Sequence, residues 1–141
     1  KQQQRSDLIA EAAKNKTFRE CAEAYMNAHS SDYTNDKHRK QWSSTLVTYA
    51  YPLIGNMLVA DITMRDVRNV LEQETTVDKD ITGKLWYVKT ETAKRLLGRI
   101  KSVMDYALVN EYRSGTNPAQ WTGYLSTQLP SPKKLQKKEH H

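Results

Sequence analysis

Residues 90–108 read TETAKRLLGRIKSVMDYAL, and in this stretch each of Ala93, Leu96, Leu97, Ile100, Val103, Met104, Ala107 and Leu108 has apolar partners three or four residues away. That spacing stacks all eight on one face of an α-helix, giving an unbroken apolar stripe. Thr90 is read as the N-cap, since a hydroxyl there can accept from the free amides of a first turn. Lys94, Arg95, Arg99 and Lys101 fall on the other side as an exposed basic face. A helix with a stripe this long must bury it against other helices, so the chain reads as all-α, a compact bundle of four to five helices.

The flanking sequence supplies the partners. Thr17-Phe18-Arg19-Glu20 is a capping box, in which the Thr hydroxyl and the Glu carboxylate satisfy amides at a helix start. Phe18, Cys21, Ala22, Tyr25 and Met26 then line one face of a first helix running to about Ala28. A second helix begins near Asp36, carries Trp42, Leu46 and Tyr49 on one side, and is expected to stop at Pro52, which has no amide to donate. Pro52 to Val59 forms an apolar connection with a turn at Gly55-Asn56. Thr63 caps a third helix, with Asp66 facing its early amides and Met64, Val67, Val70 and Leu71 as its stripe. Residues 75–89, rich in Thr and Asp with a turn signal at Thr82-Gly83, read as a loop or small β-hairpin. After the turn at 113–118, Pro118 is expected to open a short last helix through Ala119, Trp121, Tyr124 and Leu125. Residues 1–16 read as a linker or fraying helix, 17–128 as the folded domain, and 129–141, with Lys133, Lys134, Lys137 and Lys138, as a basic linker.

The composition narrows what such a bundle can do. With 141 residues there is room for one domain of ordinary size. The single cysteine, Cys21, excludes an intrachain disulfide and a zinc-type cysteine cluster. It fits a reducing cytoplasm, and on the apolar face of the first helix it reads as a small buried thiol, not a nucleophile. No apolar run reaches the roughly 18 residues of a membrane helix. No phosphate-binding glycine loop, paired metal-spaced histidines or nucleophile–base motif stands out. Neither a metal, a cofactor nor a small-molecule substrate is therefore expected, and His140 and His141 are given no metal role. The three tryptophans and eight tyrosines fall mostly on apolar faces, where core packing explains them.

The formal charge of +6 is the remaining signal, because a basic surface gains free energy by displacing the counterions condensed on a polyanion. Lys37, His38, Arg39 and Lys40 crowd the first turns of the second helix, where cations oppose the helix dipole. Such placement points to a function, although a solvated charge run reads the same way. The basic faces by themselves also suit a helical module meeting an acidic protein, or a free-standing transcription regulator.

Two blocks of sequence resemble one known family. Lys37-His38-Arg39-Lys40-Gln41-Trp42 with Thr45-Leu46, then Tyr49-Ala50-Tyr51-Pro52-Leu53-Ile54-Gly55 and Asp61-Ile62-Thr63, are similar to the core-binding domain of P4-like prophage integrases, which are tyrosine recombinases. Trp86, Lys89, Glu91-Thr92-Ala93, Arg95, Gly98-Arg99-Ile100, Val103, Asp105-Tyr106-Ala107, Asn117-Pro118-Ala119, Trp121 and Gly123 resemble the segment that follows. The likeness runs from about Thr17 to His141, with a longer stretch than the family pattern at Thr75 to Leu85.

The resemblance implies a SAM-like helical domain that, with a catalytic domain, closes a C-shaped clamp on double-stranded DNA at a recombination core site. The second and fourth helices would face the major groove, in a bacterial cytoplasm and at the nucleoid, beside other integrase protomers. An arm-binding region would precede residues 1–16. The family's catalytic Arg, Lys, His-x-x-Arg pair and Tyr nucleophile belong to the C-terminal domain, so this chain is expected to be non-catalytic and none of its eight tyrosines a nucleophile. Lys37, Arg39, Lys40, Lys94, Arg95 and Arg99 are the expected phosphate contacts, and Lys89 is a further expected DNA-binding residue. His38, Gln41, Ser44 and Thr92 can offer hydrogen bonds to base edges.

Overall fold

The apolar stripe of residues 90–108 becomes the axis around which everything else packs. In the structure, a computed structural model, residues 4, 5, 8, 15–32 and 36–139 are described. The expected linker or fraying helix over 1–16 lies mostly outside the described residues, as do His140 and His141.

Helix α1 spans Phe18–Ala28 and starts with the expected capping box: the Glu20 amide donates to Thr17 Oγ1 at 3.1 Å and the Thr17 amide donates to Glu20 Oε1 at 3.1 Å. Helix α2 covers Asp36–Thr45 and passes without a break through a π-helical turn, Leu46–Ala50, into α3, Tyr51–Ile54. Helix α4 spans Met64–Leu71 and carries a second capping box, from Thr63 and Asp66. Strands β1 (Glu74–Asp78) and β2 (Ile81–Lys84) pair antiparallel as a hairpin, followed by the single turn α5, Leu85–Val88, and the long helix α6, Thr90–Val109. A last helix, α7, spans Pro132–Glu139.

The architecture is thus a helical bundle with a small hairpin. Helix α6, twenty residues long and so about 30 Å, packs against α1, α2, the π turn, α4, α5 and α7. Its Ala93, Leu96, Ile100, Val103, Met104 and Ala107 are fully buried, joined by Phe18 and Cys21 of α1, Leu46 and Ala50 of the π turn, Ile54, Val67, Val70, Leu71, Leu85 and Trp86.

Four local expectations are corrected. Pro52 does not end the second helix. A proline removes one amide and its ring collides with the carbonyl four residues back in a regular helix. Here the preceding turn widens, the Tyr51 amide reaches Leu46 O, and the helix resumes through Pro52 to Ile54. Thr90 is not an N-cap: it is buried, and its hydroxyl donates to Trp86 O at 2.8 Å. The hairpin turns at Lys79-Asp80, not at Thr82-Gly83. Gly83 sits inside β2 opposite Thr75, where a Cβ would come within 2.7 Å of Val88 Cγ1. Residues 118–125 form successive turns and a 3-10 turn at Leu125–Thr127 in place of a last α-helix.

Long-range hydrogen bonds close the fold. Arg113 Nη1 donates to Val59 O at 2.7 Å and Ile62 O at 2.8 Å, tying the end of α6 to the connection before α4. Asn117, buried, donates to Lys101 O and Asp105 Oδ1 and accepts from the Ala119 amide. Trp86 stacks on Trp121 with ring centroids 5.4 Å apart and donates its indole N–H to Pro130 O at 2.8 Å. With Leu129 buried and Leu135 packed on the core, the segment bearing Lys133 and Lys134 lies docked as helix α7.

Candidate nucleic-acid interface

Residues 37, 40, 41 and 44 lie three or four apart on α2, and 92, 95 and 99 do the same on α6, so each set occupies one stripe of its helix. Where the two helices pack, the stripes face each other across an open groove of about 650 Å³ lined by Lys37, Lys40, Gln41, Ser44, Thr45, Thr92, Arg95 and Arg99. Seven of these residues were expected from sequence. Thr45 was missed, though its place four residues after Gln41 is the spacing that would have found it.

Lys37, Lys40, Gln41, Ser44 and Arg95 are exposed, whereas Thr45, Thr92 and Arg99 are half-buried at the floor. The floor is organised by Arg99. Its Nη1 donates to Gln41 O at 3.3 Å and to the Thr45 hydroxyl, while that hydroxyl donates to Gln41 O at 2.9 Å. The guanidinium carbon also stands 5.8 Å from the centre of the Trp42 ring, which stacks on Tyr25 at 5.2 Å. Arg99 therefore ties α6 to α2 as well as facing the groove, which corrects the expectation of a wholly solvent-facing side chain.

The other expected residues lie around this centre. Arg39 lines an adjoining depression of about 470 Å³ with Lys40, Ser43, Ser44 and Val47, and its Nη2 donates to Asn27 Oδ1 of α1 at 2.7 Å. His38 and Lys94 are exposed on α2 and α6 but line neither hollow. Lys89, just before α6, is half-buried with its ammonium 3.5 Å from the Tyr49 hydroxyl.

The charge is concentrated and locally unbalanced. Ion pairs join Glu72 to both Arg68 and Lys84, and Lys101 to Asp105, away from the groove. None engages Lys37, Lys40 or Arg95. Lys37, Lys40, Arg95 and Arg99 thus flank hydroxyls and a carboxamide, which is the donor set that binds phosphate oxygens and base edges together. No grouping of three or more His, Cys, Asp or Glu that could hold a metal occurs among the described residues. No described helix is long and apolar enough to cross a membrane.

A family model described as the phage integrase central domain matches residues 18–124. The solution NMR structure of a protein from Nitrosospira multiformis is 44% identical in sequence, superposes with a TM-score of 0.65, and covers 78% of this chain and 93% of its own. No curated protein matches the chain.

Proposed function

The chain belongs to the phage integrase central-domain family, and from that membership we propose that it binds duplex DNA across the α2–α6 groove as the core-site-recognising part of a tyrosine recombinase. The observation that carries this reading is the groove itself: Lys37, Lys40 and Arg95 converge there without carboxylate partners among the described residues, beside Gln41, Ser44 and Thr92. Polyanion binding releases condensed counterions, so such a cluster contributes affinity without sequence preference, and the neutral donors add discrimination at base edges. Lys37, Lys40, Arg39, Lys89, Lys94 and Arg95 hold phosphates in this reading, and His38, Gln41, Ser44 and Thr92 read bases. Arg99 serves both the ligand and the groove wall. Cutting and rejoining strands falls to a separate catalytic domain of the intact bacterial integrase, whose protomers assemble on the site. This chain needs neither metal nor cofactor.

The test is duplex binding by fluorescence anisotropy across a salt series. With on the order of five phosphates neutralised, log K is expected to fall with log salt at a slope of about −4 to −5. Lys40→Ala with Arg95→Ala lowers that slope by about two and weakens a core-site duplex, whereas Lys134→Ala with Lys137→Ala does less and affects all sequences alike. Salt-independent binding, or equal losses from the two double variants, would refute the groove. A covalent complex with a nicked suicide substrate would refute the division of labour.

A further inference from the structure

Gly98 occupies the middle of α6, between the good helix formers Arg95, Leu96 and Leu97 and Arg99, and is solvent-exposed with no atom within 4 Å of where a Cβ would stand. Glycine weakens a helix interior relative to alanine because more backbone freedom is lost on folding. The other four glycines each have an internal reason. A Cβ would collide at Gly55 and Gly83, and Gly115 and Gly123 adopt φ of 88° and 78°, which side-chain-bearing residues rarely take. At Gly98 nothing in the chain itself requires the missing side chain.

Its neighbours supply the reason. On the wheel of α6 Gly98 lies almost opposite the buried stripe, three residues after Arg95 and one before Arg99, with Lys94 and Ser102 one turn away on either side. Arg95, Lys94 and Gly98 are all exposed, and the Ser102 hydroxyl folds back on Gly98 O at 3.1 Å, where it adds no bulk over the glycine. The crest of α6 is therefore a cationic ridge with a notch in it.

We propose that Gly98 is a contact residue of the DNA interface, where the duplex approaches the α6 backbone too closely to admit a Cβ. The inference rests on the groove reading above and extends it: the duplex meets the outward crest of α6 as well as the groove beside it. Closing the notch stabilises the free protein while it holds the duplex off Lys94 and Arg95.

The experiment pairs thermal melting with duplex anisotropy for Gly98→Ala and Gly98→Gln. Alanine and glutamine are both good helix formers, so each variant should raise Tm by about 3 to 6 °C. Kd for the duplex should rise about tenfold with alanine, as for an overpacked contact, and further with glutamine. The opposite signs exclude misfolding as a cause, and a larger loss with glutamine, the weaker helix former of the two, separates steric exclusion from helix stiffening. Both variants binding as tightly as the unsubstituted protein would overturn the inference while leaving the groove reading intact. Absence of duplex binding by the unsubstituted protein would overturn the groove reading and this inference with it.

Discussion

Arg95 and Arg99 stand one helical turn apart on the same wall, yet replacing them should have different consequences. Arg95 is exposed and has no carboxylate partner among the described residues, so Arg95→Ala should weaken duplex binding with no change in melting. Arg99 donates to Gln41 O and to the Thr45 hydroxyl and lies over Trp42. A hydrogen bond from a charged donor contributes about 1.5 to 3 kcal/mol when shielded. Half-exposure reduces that to about 1 kcal/mol for the pair of contacts, since water competes and salt screens. A cation over this half-buried indole adds about 0.5 kcal/mol. Arg99→Ala should therefore cost about 1.5 kcal/mol and lower Tm by about 5 °C, in addition to weakening DNA binding. Arg99→Lys keeps the charge but not the fork, so it should recover most of the salt slope and little of the stability. The assay is a far-UV circular dichroism melt beside an anisotropy titration for all three variants. An Arg99→Ala protein that melts with the unsubstituted chain would show that the guanidinium ties nothing. A lysine that restores Tm would show that charge alone, not geometry, holds α2 to α6.

Three further outcomes follow from the fold. The Glu20 carboxyl is held below its ordinary value by hydrogen bonds from the Thr17 amide first and the Thr17 side chain second. Its stabilisation is fully present above the unfolded carboxyl pKa and is lost as pH falls through the lower folded value. Glu20→Gln should accordingly flatten the dependence of Tm on pH between about 5 and 3, the range around an ordinary glutamate, and identical profiles would refute it. Burial raises the Cys21 thiol to about 11, so a thiol-specific chromogenic reagent near neutral pH should label the folded protein far more slowly than the denatured one; equal rates would refute its burial. Glu111 holds φ at 61° just past α6, with the Tyr112 amide bonding back to Ala107 O. Glycine fits that left-handed position better, so Glu111→Gly should gain about 0.5 to 1 kcal/mol, and a lowered Tm would count against it.

Much of this fold was legible because its signals are local. The capping boxes at Thr17 and Thr63 and the stripe of α6 depend on residues within one or two turns of each other, and the structure reproduces them. The expectations that needed correction concern residues whose behaviour is decided by distant partners. Asn117 turns its side chain into a ligand for α6 and for the Ala119 amide, which holds residues 118–125 in turns where Pro118 suggested a helix. Gly83 resembles a turn residue only until Val88 is seen against it. Thr90 carries the side chain of a cap, but the preceding turn α5 offers Trp86 O first. The groove was legible as two sets of residue types at helical spacing. That they share one hollow follows from the packing of α2 on α6, and the structural share of Arg99 was invisible because its acceptors lie 54 and 58 residues away.

The widened turn at Leu46–Ala50 also bears on how sequences of this kind can change. Leu46, Ala50 and Ile54 are all buried although they recur every four residues, a spacing that drifts by about 40° per step on a regular α-helix. The π turn absorbs that drift and sets the phase between a cationic front half and an apolar rear half of one continuous rod. Removing a single residue there would restore regular winding and leave the phase of the two halves nearly unchanged, because a π turn is an α turn holding one extra residue. Lys37, Lys40, Gln41 and Ser44 would still face α6, but the ring of Pro52 would then meet the carbonyl four residues back. Along this segment, one-residue alignment gaps should thus be found among relatives that keep the groove but lack the proline, because the extra residue here serves the ring and not the angle.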